Sequence, residues 1–277
     1  MGKIIFILFI FSVSIVNAQV DIIYGDIPVI VAIEHDGFMQ CGSEHDGYLY
    51  NDTYLWDYRN IFIDTIRREI GNPYVVRLLC QRRYVDANRM PESRLAYVTD
   101  AARMAYYEYH NSIDAMAEDI LSRWENGIGL DLHTFHQRKP PLYADVEIGF
   151  DVFYADRDLP YNTASDLYEI GGDMALDVFA KHLNRIGIVA TSNSSQNGQA
   201  TVSIHGTNSK ISPTNADSPV TKFDRWSFHL DFVQLEHINT AVDSEEKSRK
   251  IAIAEVMAIK EILNDYYDYK NDYDENY

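Results

Sequence analysis

Histidines and acidic residues follow two short apolar segments, in positions where they could bind a metal ion. Residues 127–130 lead into Asp131 and His133, and residues 27–33 lead into His35. In open α/β sheets, ligands and metals collect outside the carboxyl ends of the strands. A neutral imidazole at a strand end is a suitable metal ligand, and a nearby carboxylate can orient it. An isolated Asp-x-His motif is common in structural roles, so the metal prediction depends on the rest of the chain.

Two further segments carry groups that suit hydrolysis. The stretch after a predicted strand at 74–79 contains Arg82, Asn88 and Arg89, and a predicted strand at 228–236 ends in Glu236. An arginine can hold a substrate carboxylate through two hydrogen bonds, although a solvated arginine is an equally simple interpretation of Arg82. A carboxylate can move a proton from water to a leaving amine. These groups, with a zinc ion that activates water, fit metal-assisted amide hydrolysis.

The order of predicted elements indicates an α/β sandwich with a mostly parallel sheet. Besides the strands above, strands are predicted from Gly127 onward and at 144–150, 188–190 and 201–204. Helices are predicted at 54–70, 101–123, 172–186 and 243–263. The first helix is expected to begin at an N-cap of Asp52 or Thr53 and to stop at Gly71.

The two ends of the chain are predicted to lie outside the folded domain. Residues 1–18 combine Lys3, an uncharged apolar run and a small residue, Ala18, at a cleavage position, which is typical of a secretory signal. Residues 19–263 are long enough for one domain with one core. Residues 264–277 contain five tyrosines, five acids and one lysine, and are predicted to form a disordered tail. The mature protein is therefore expected to be extracellular or lumenal.

The composition limits the partners and the chemistry. The formal net charge is −18, and becomes −19 when Lys3 is removed with the signal, which argues against nucleic acid and anionic membranes as partners. A local arginine cluster still permits a small substrate or peptide with a carboxylate. Cys41 and Cys80 could form a disulfide or remain two buried thiols. The segments 51–53 and 193–195 are N-glycosylation sequons, which matter only in a secreted glycoprotein.

Six sequence blocks, taken in order, resemble the N-formylglutamate amidohydrolases, a family similar to the zinc carboxypeptidases. The resemblance spans roughly residues 27 to 242. It implies a three-layer α/β fold with a central mixed sheet, one zinc ion per chain, and hydrolysis of an N-acyl amide next to a carboxylate. The blocks are Glu34-His35-Asp36-Gly37, residues 82–89, Tyr106-Tyr107-Glu108-Tyr109-His110, Leu130-Asp131-Leu132-His133, Gly198 to His205-Gly206, and Val233-Gln234-Leu235-Glu236.

The resemblance also implies roles for individual residues. His35 and His133 match the histidine ligands, and Glu236 matches the general base. Asn88 and Arg89 match the clamp on the substrate carboxylate.

Two further residues complete the implied site. His205 matches a substrate contact. For the acidic ligand expected after the first histidine, Glu44, Asp46 and Asp52 compete. We select Asp52, because the N-terminus of the first helix should face the carboxyl edge of the sheet.

The chain departs from the family pattern in two blocks. The family usually has Pro-His-Gly-Gly where this chain has residues 34–37, so an acid lies on each side of His35 and a side chain replaces a glycine that allows close approach. The glycine pair expected before His205 is reduced to residues 197–199. The alternative prediction is therefore a catalytically inactive secreted binding protein on the same scaffold, which would hold a carboxylate through Arg89 without cleaving its ligand.

Overall fold

A seven-stranded mixed sheet forms the centre of the protein in the computed structural model. The structure describes residues 18–45, 50–89, 91, 93–135, 144–149, 164–192 and 230–269. The strands are β1 (Val20–Ile23), β2 (Val29–Ile33), β3 (Tyr74–Leu78), β4 (Ile128–Phe135), β5 (Val146–Gly149), β6 (Ala190–Ser192) and β7 (Asp231–Ile238). Their order across the sheet is β1-β3-β2-β4-β7-β5-β6.

The four central strands run in one direction. β3, β2, β4 and β7 are mutually parallel, β1 is antiparallel to β3, and β5 and β6 run together in the direction opposite to β7. The carboxyl ends of β2, β4 and β7 therefore meet at one edge of the sheet. This edge carries the predicted metal and catalytic residues, as the rule for open α/β sheets anticipates.

Helices cover both faces of the sheet. They are α1 (Leu55–Glu69), α2 (Asp100–Arg123), α3 (Ser165–Leu176), α4 (Val178–Arg185) and α5 (Glu245–Glu261). Residues of α1, α3, α4 and α5 share one buried apolar cluster with the side chains on one face of β2 and β4, whereas α2 shares a second cluster with the opposite face. The result is a three-layer sandwich with a mixed, mostly parallel sheet, which confirms the predicted fold class.

Burial on both faces explains the continuous apolar sequence of the central strands. In β2, Val29, Val31 and Ile33 pack toward α1, while Ile30 and Ala32 pack toward α2. At one position of β4 a glycine makes room for a large neighbour. A Cβ added to Gly129 would lie 2.2 Å from the ring of Phe232 on β7, so the close packing of these two strands depends on the absent side chain.

Two elements differ from the sequence prediction on the α1 side. The predicted helix at 172–186 is two helices, α3 and α4, and α3 itself is kinked at Gly172, whose φ of 61° is not helical. The N-cap of α1 is Tyr54, without a side-chain capping bond, rather than Asp52 or Thr53. The Asp52 carboxylate is directed to β4 and does not cap α1. Its Oδ2 accepts a hydrogen bond from the backbone N–H of Thr134 and lies 3.0 Å from Nδ1 of His133.

The two ends of the described chain also differ from expectation. β1 was not predicted, and it forms an edge strand on β3. Residues 264–266, assigned by sequence to the tail, continue α5 as a π-helical turn. The Tyr267 side chain that follows is buried and donates a hydrogen bond to Asp231 at the start of β7. Residues 1–17 and 270–277 lie outside the described residues.

A disulfide joins Cys41 to Cys80, which decides between the two alternatives for these cysteines. It lies beside the end of β2, since Met39 pairs with Cys80 in a short parallel bridge. A Cβ added to Gly37 would lie 2.1 Å from the carbonyl oxygen of Cys80, so the segment that follows β2 packs directly against the disulfide. Among the helices of the described ranges, none is long and apolar enough to cross a membrane.

Candidate metal centre

Three donor atoms from distant parts of the chain meet at the carboxyl edge of the sheet. They are Nδ1 of His35 after β2, Nδ1 of His133 on β4, and Oδ2 of Asp52 in the turn before α1. The two nitrogens are 3.1 Å apart, Asp52 Oδ2 lies 3.0 Å from His133 Nδ1, and it lies 3.6 Å from His35 Nδ1. The structure thus brings together all three residues that the sequence suggested as ligands.

The spacing of these atoms fits a tetrahedral metal site. Zinc binds imidazole nitrogen and carboxylate oxygen at about 2.0–2.1 Å, which places two ligands of a tetrahedral ion about 3.3 Å apart. The three observed separations lie between 3.0 and 3.6 Å. Two imidazoles and one carboxylate are also a ligand set that zinc takes in catalytic sites, where a fourth position stays open. The residues present therefore fit zinc.

A second donor set replaces Asp52 by Glu34. Ligand atoms of Glu34, His35 and His133 lie within 4.8 Å of one another. We favour Asp52, because its set is tighter. In addition, Glu34 Oε1 lies 3.3 Å from Nε2 of His133, which is not the ring nitrogen that approaches His35.

Carboxylates lie close to the other nitrogen of each imidazole ring. Nε2 of His35 lies 2.9 Å from Oδ1 of Asp86. Nε2 of His133 lies 3.3 Å from Glu34 Oε1 and 3.4 Å from Asp131 Oδ1. Metal-bound histidines usually donate their second N–H to a carboxylate, which fixes the tautomer and the ring orientation. Both rings are therefore oriented with Nδ1 toward the place where the two nitrogens and Asp52 Oδ2 converge.

The acids around the two imidazoles favour a positive charge there. Burial alone would lower the pKa of His133, but the charges of Asp131 and Glu34 raise it well above its ordinary value. Burial and the charge of Asp131 raise the pKa of Glu34 to about 7. Burial would also raise the pKa of Asp52, but the charge of His35 and hydrogen bonds with both rings hold it well below its usual range. The cluster thus stabilises a cation, either an imidazolium or a bound metal ion.

Asp86 organises the arginine segment, residues 82–89. Asp86 Oδ2 accepts hydrogen bonds from Nε of Arg82 and Nε of Arg89, and Oδ1 accepts one from the backbone N–H of Asn88. Arg82 also donates from Nη1 to Asp52 Oδ1, so its guanidinium is largely committed to the site acids. Arg89 is 28% exposed, and its two Nη groups have no partner among the described residues.

Asn88 lies behind His133. The Asn88 side chain is buried, and Nδ2 lies 3.4 Å from His133 Nε2. Its Oδ1 has no hydrogen-bond partner in the part of the chain that the structure describes. Asn88 is therefore placed against a proposed ligand, not beside Arg89 at the exposed side of the site.

Glu236 lies beside His133 in the neighbouring strand. The two residues are register partners in β4 and β7, which puts their side chains on the same face of the sheet. Glu236 is buried, and its Oε1 accepts a hydrogen bond of 2.6 Å from Gln234 Nε2. On its other side, Glu236 is the register partner of the buried Glu147 of β5. The polar face of the sheet thus extends from the two histidines to β5.

The two acids that flank His35 have separate structural roles. Asp36 points away from the donor cluster and pairs with Arg59 of α1 and Arg77 of β3. It does not crowd the metal ligands, although it stands where the resembling family has glycine. Glu34 accepts a hydrogen bond of 2.9 Å from Tyr109 of α2 while it contacts His133. It therefore connects α2 to the second imidazole.

Some sequence predictions lie elsewhere or outside the described residues. Glu44 pairs with Arg83 at the surface, away from the histidines, and Asp46 and His205 are not among the described residues. The sequence gives no sign that His45 is buried, but its ring is, with Nε2 3.0 Å from the carbonyl oxygen of Arg82.

Comparison with known proteins identifies the fold. No protein-family model matches the chain, and no curated protein matches its sequence. A solved structure of a gene product from Agrobacterium tumefaciens matches with a TM-score of 0.58 and 14% identity, covering 90% of this chain and 95% of that one. The N-formylglutamate amidohydrolase from Ralstonia eutropha JMP134 matches with a TM-score of 0.52 and 12% identity, covering 90% and 99%. The chain shares the fold of these proteins. At such low identity the likeness extends to the fold alone.

Sequence reasoning anticipated one of the contacts that orient the histidines, that of Asp131 with His133, and missed the others. Asp131 stands two residues before His133. Because residues i and i+2 of a strand share one face, the contact between their side chains could be predicted from the sequence. The contact between His35 and Asp86 had no such signal, because it joins residues 51 positions apart. The contact between Glu34 and His133 could not be predicted either. Glu34 is next to His35 in sequence, and adjacent residues of an extended segment point to opposite sides.

Proposed function

We propose that the protein is a secreted, zinc-dependent amidohydrolase that cleaves an N-acyl amide next to a carboxylate. The observation that carries the proposal is the convergence of His35 Nδ1, His133 Nδ1 and Asp52 Oδ2 within 3.6 Å, with acids on the opposite ring nitrogens. Structural metal sites are usually closed by four protein ligands, whereas three ligands at a sheet edge suit catalysis. The shared fold with an N-formylglutamate amidohydrolase supports the same reaction class.

Each group in the proposed site has a separate task. Zinc held by the three ligands would polarise the amide carbonyl and lower the pKa of a water molecule to about 7. The Glu236 carboxylate would accept a proton from the attacking water and return it to the leaving nitrogen. Its place beside His133 in the next strand supports this role. Gln234 Nε2 orients the base through its bond to Oε1.

Arg89 is the proposed carboxylate clamp. Its Nε donates to Asp86, while its two Nη groups have no partner among the described residues. A guanidinium with two parallel N–H groups binds a carboxylate in a fixed orientation. Arg82 is less suited to this task, because Asp52 and Asp86 already occupy it. The substrate is therefore proposed to be a small N-acyl amino acid or peptide end with a free carboxylate.

The test compares metal content and turnover in matched variants. The mature chain, residues 19–277, is purified and its metal measured by elemental analysis, with His133→Ala as the ligand variant. Hydrolysis is then assayed on N-formyl and N-acetyl amino acids and on the same compounds with the carboxylate converted to an amide. We expect about one zinc per chain in the parent, loss of zinc in His133→Ala, and cleavage only of the free acids.

A second pair of variants tests the base. Glu236→Gln should keep the zinc and lose turnover by about 100-fold or more, since general base catalysis contributes about 10²–10⁴-fold. Glu245→Gln, at the exposed start of α5, is the matched control and should behave as the parent. If the parent protein binds zinc and the carboxylate ligands but cleaves none of the free acids, the binding-protein alternative is favoured. Parent-like turnover in Glu236→Gln would remove Glu236 from the mechanism.

A further inference from the structure

The turn before α1 is tied to the site by a set of hydrogen bonds centred on Asn51. The Asn51 side chain donates from Nδ2 to the carbonyl oxygen of Gly37, and its Oδ1 accepts a bond of 2.9 Å from the backbone N–H of Arg82. One amide group therefore joins the segment after β2 to the arginine segment. The amide thus uses its oxygen as an acceptor and one of its two N–H groups as a donor.

The next residue is the acidic ligand of the proposed metal centre. The backbone N–H of Asp52 donates to the carbonyl oxygen of His35 at 2.9 Å, and Asp52 Oδ2 accepts from the backbone N–H of Thr134 at 3.1 Å. The Thr134 hydroxyl in turn donates to the carbonyl oxygen of Thr53 at 2.6 Å. The turn is thus attached to both histidine-bearing segments, and Asn51 attaches it to a third.

Asn51 also begins a sequon, so two roles compete for the same nitrogen. An N-linked glycan would be attached to Nδ2, which in the structure donates to Gly37. A glycan there would replace one of the two N–H groups of Nδ2 and add bulk at a nitrogen that is already in contact with Gly37. The sugar would have to emerge beside the half-buried turn. Thr53, the third residue of the sequon, is exposed. The chain therefore permits removal of the sequon without any change to Asn51.

We propose that Asn51 is a positioning residue for the Asp52 ligand and carries no glycan. This inference builds on the proposed metal centre and adds a residue that touches neither metal nor substrate. Its amide fixes the distance between the turn and the end of β2, and so places Asp52 Oδ2 between the two imidazoles. Loss of the amide leaves the ligand atoms present but displaces one of them.

The test measures metal binding and glycan occupancy separately. Zinc affinity is measured by competition with a chromophoric chelator, and the visible spectrum of the Co²⁺-loaded protein reports the ligand geometry. Asn51→Ala removes both hydrogen bonds, whereas Asn51→Asp keeps the acceptor for Arg82 and loses the donor to Gly37. Thr53→Ala removes the sequon and keeps the carbonyl oxygen that accepts from Thr134, and Thr53→Ser preserves the sequon. The melting temperature of each metal-free variant is recorded alongside.

We expect zinc affinity to fall by about 10–100-fold in Asn51→Ala, the range typical of residues that support a ligand. Asn51→Asp should also lose affinity, and both should change the Co²⁺ spectrum. Both Thr53 variants should stay within about twofold of the parent. If Asn51→Ala fails to fold, Asn51→Asp supplies the measurement. In protein secreted from eukaryotic cells, mass spectrometry of the peptide with Asn51 should find the unmodified amide.

The opposite results distinguish a failure of the positioning role of Asn51 from a failure of the proposed metal centre. Parent-like affinity and spectrum in the Asn51 variants, or a lower melting temperature with an unchanged Co²⁺ spectrum, would overturn the positioning role while leaving the metal centre intact. A glycan on Asn51 of the metal-binding protein would also overturn it. If the parent protein binds neither Zn²⁺ nor Co²⁺, both the inference and the proposed metal centre are wrong.

Discussion

Reduction of the Cys41–Cys80 disulfide should destabilise the protein by a predictable amount. The bond joins residues separated by 39 positions, and the closed loop contains α1 and β3 together with Asp52. The loop-entropy relation for a closed loop of about 40 residues gives about 4 kcal/mol at room temperature. With an m-value of about 3 kcal/mol/M for a domain of this size, the urea midpoint should fall by about 1.3 M.

The assay is urea unfolding of the oxidised and the reduced protein, followed by circular dichroism. The reduced unfolded chain is less constrained and exposes more surface, so the m-value should rise slightly on reduction. The control is the double variant Cys41→Ala/Cys80→Ala, whose midpoint should not respond to reductant. A reduced parent protein that unfolds within about 0.3 M of the oxidised one would refute the argument. It would mean that the β2 end and the arginine segment are held by their backbone contacts alone.

Three further changes test the site and the core. Asp86→Asn should lower zinc affinity by about 10–100-fold, because it weakens the contact that orients the His35 imidazole. Asp100→Asn, at an exposed position, should keep the parent affinity. Equal affinities of the two variants in a chelator competition would contradict this prediction. Gly129→Ala should cost about 1–3 kcal/mol of unfolding free energy by crowding Phe232. In a Phe232→Leu background, Gly129→Ala should lower the unfolding free energy by less. An equal loss in both backgrounds would show that the added methyl group is not crowded by Phe232. Burial raises the pKa of Asp231 to about 7, so its stabilising contribution is greatest at low pH. Stability should fall by up to about 1.4 kcal/mol per pH unit between about pH 4 and 7, and Asp231→Asn should lack this slope in pH-dependent urea unfolding.

The sheet was predictable where local sequence carries the signal. The continuous apolar segment of β2 indicated a strand buried on both faces, and alternation of strands with helices indicated parallel pairing. Most helix ends fell within a few residues of the prediction. β1 was not predicted because its exposed Asp21, Ile22 and Ile23 do not alternate. The kink at Gly172, where the predicted helix begins, was missed, since a glycine inside a helix indicates a weak point without fixing its φ. The break between α3 and α4 is at Asp177, where no glycine marks it.

The residue types of the site were predictable, and their surroundings were not. Histidines after two predicted strands suggested one sheet edge, because parallel strands bring their carboxyl ends together. The choice of Asp52 depended on the expected direction of α1, and its carboxylate does approach both imidazoles. The N-cap prediction for the same residue was wrong, because both oxygens of the Asp52 carboxylate have other partners, Oδ2 in β4 and Oδ1 in Arg82. Contacts such as that of Asp86 depend on tertiary packing, which a single sequence does not encode locally.

The contact between Tyr267 and Asp231 has a practical consequence for immobilising the protein. Asp231 begins β7, whereas Glu236 lies five residues further along the same strand, about 16 Å away at 3.3 Å per residue. The described chain therefore leaves the domain near the amino-terminal edge of the central strands. A biotin, affinity handle or surface linker joined shortly after Tyr269 would start from the side opposite the histidines, and would leave their edge of the sheet facing the solution.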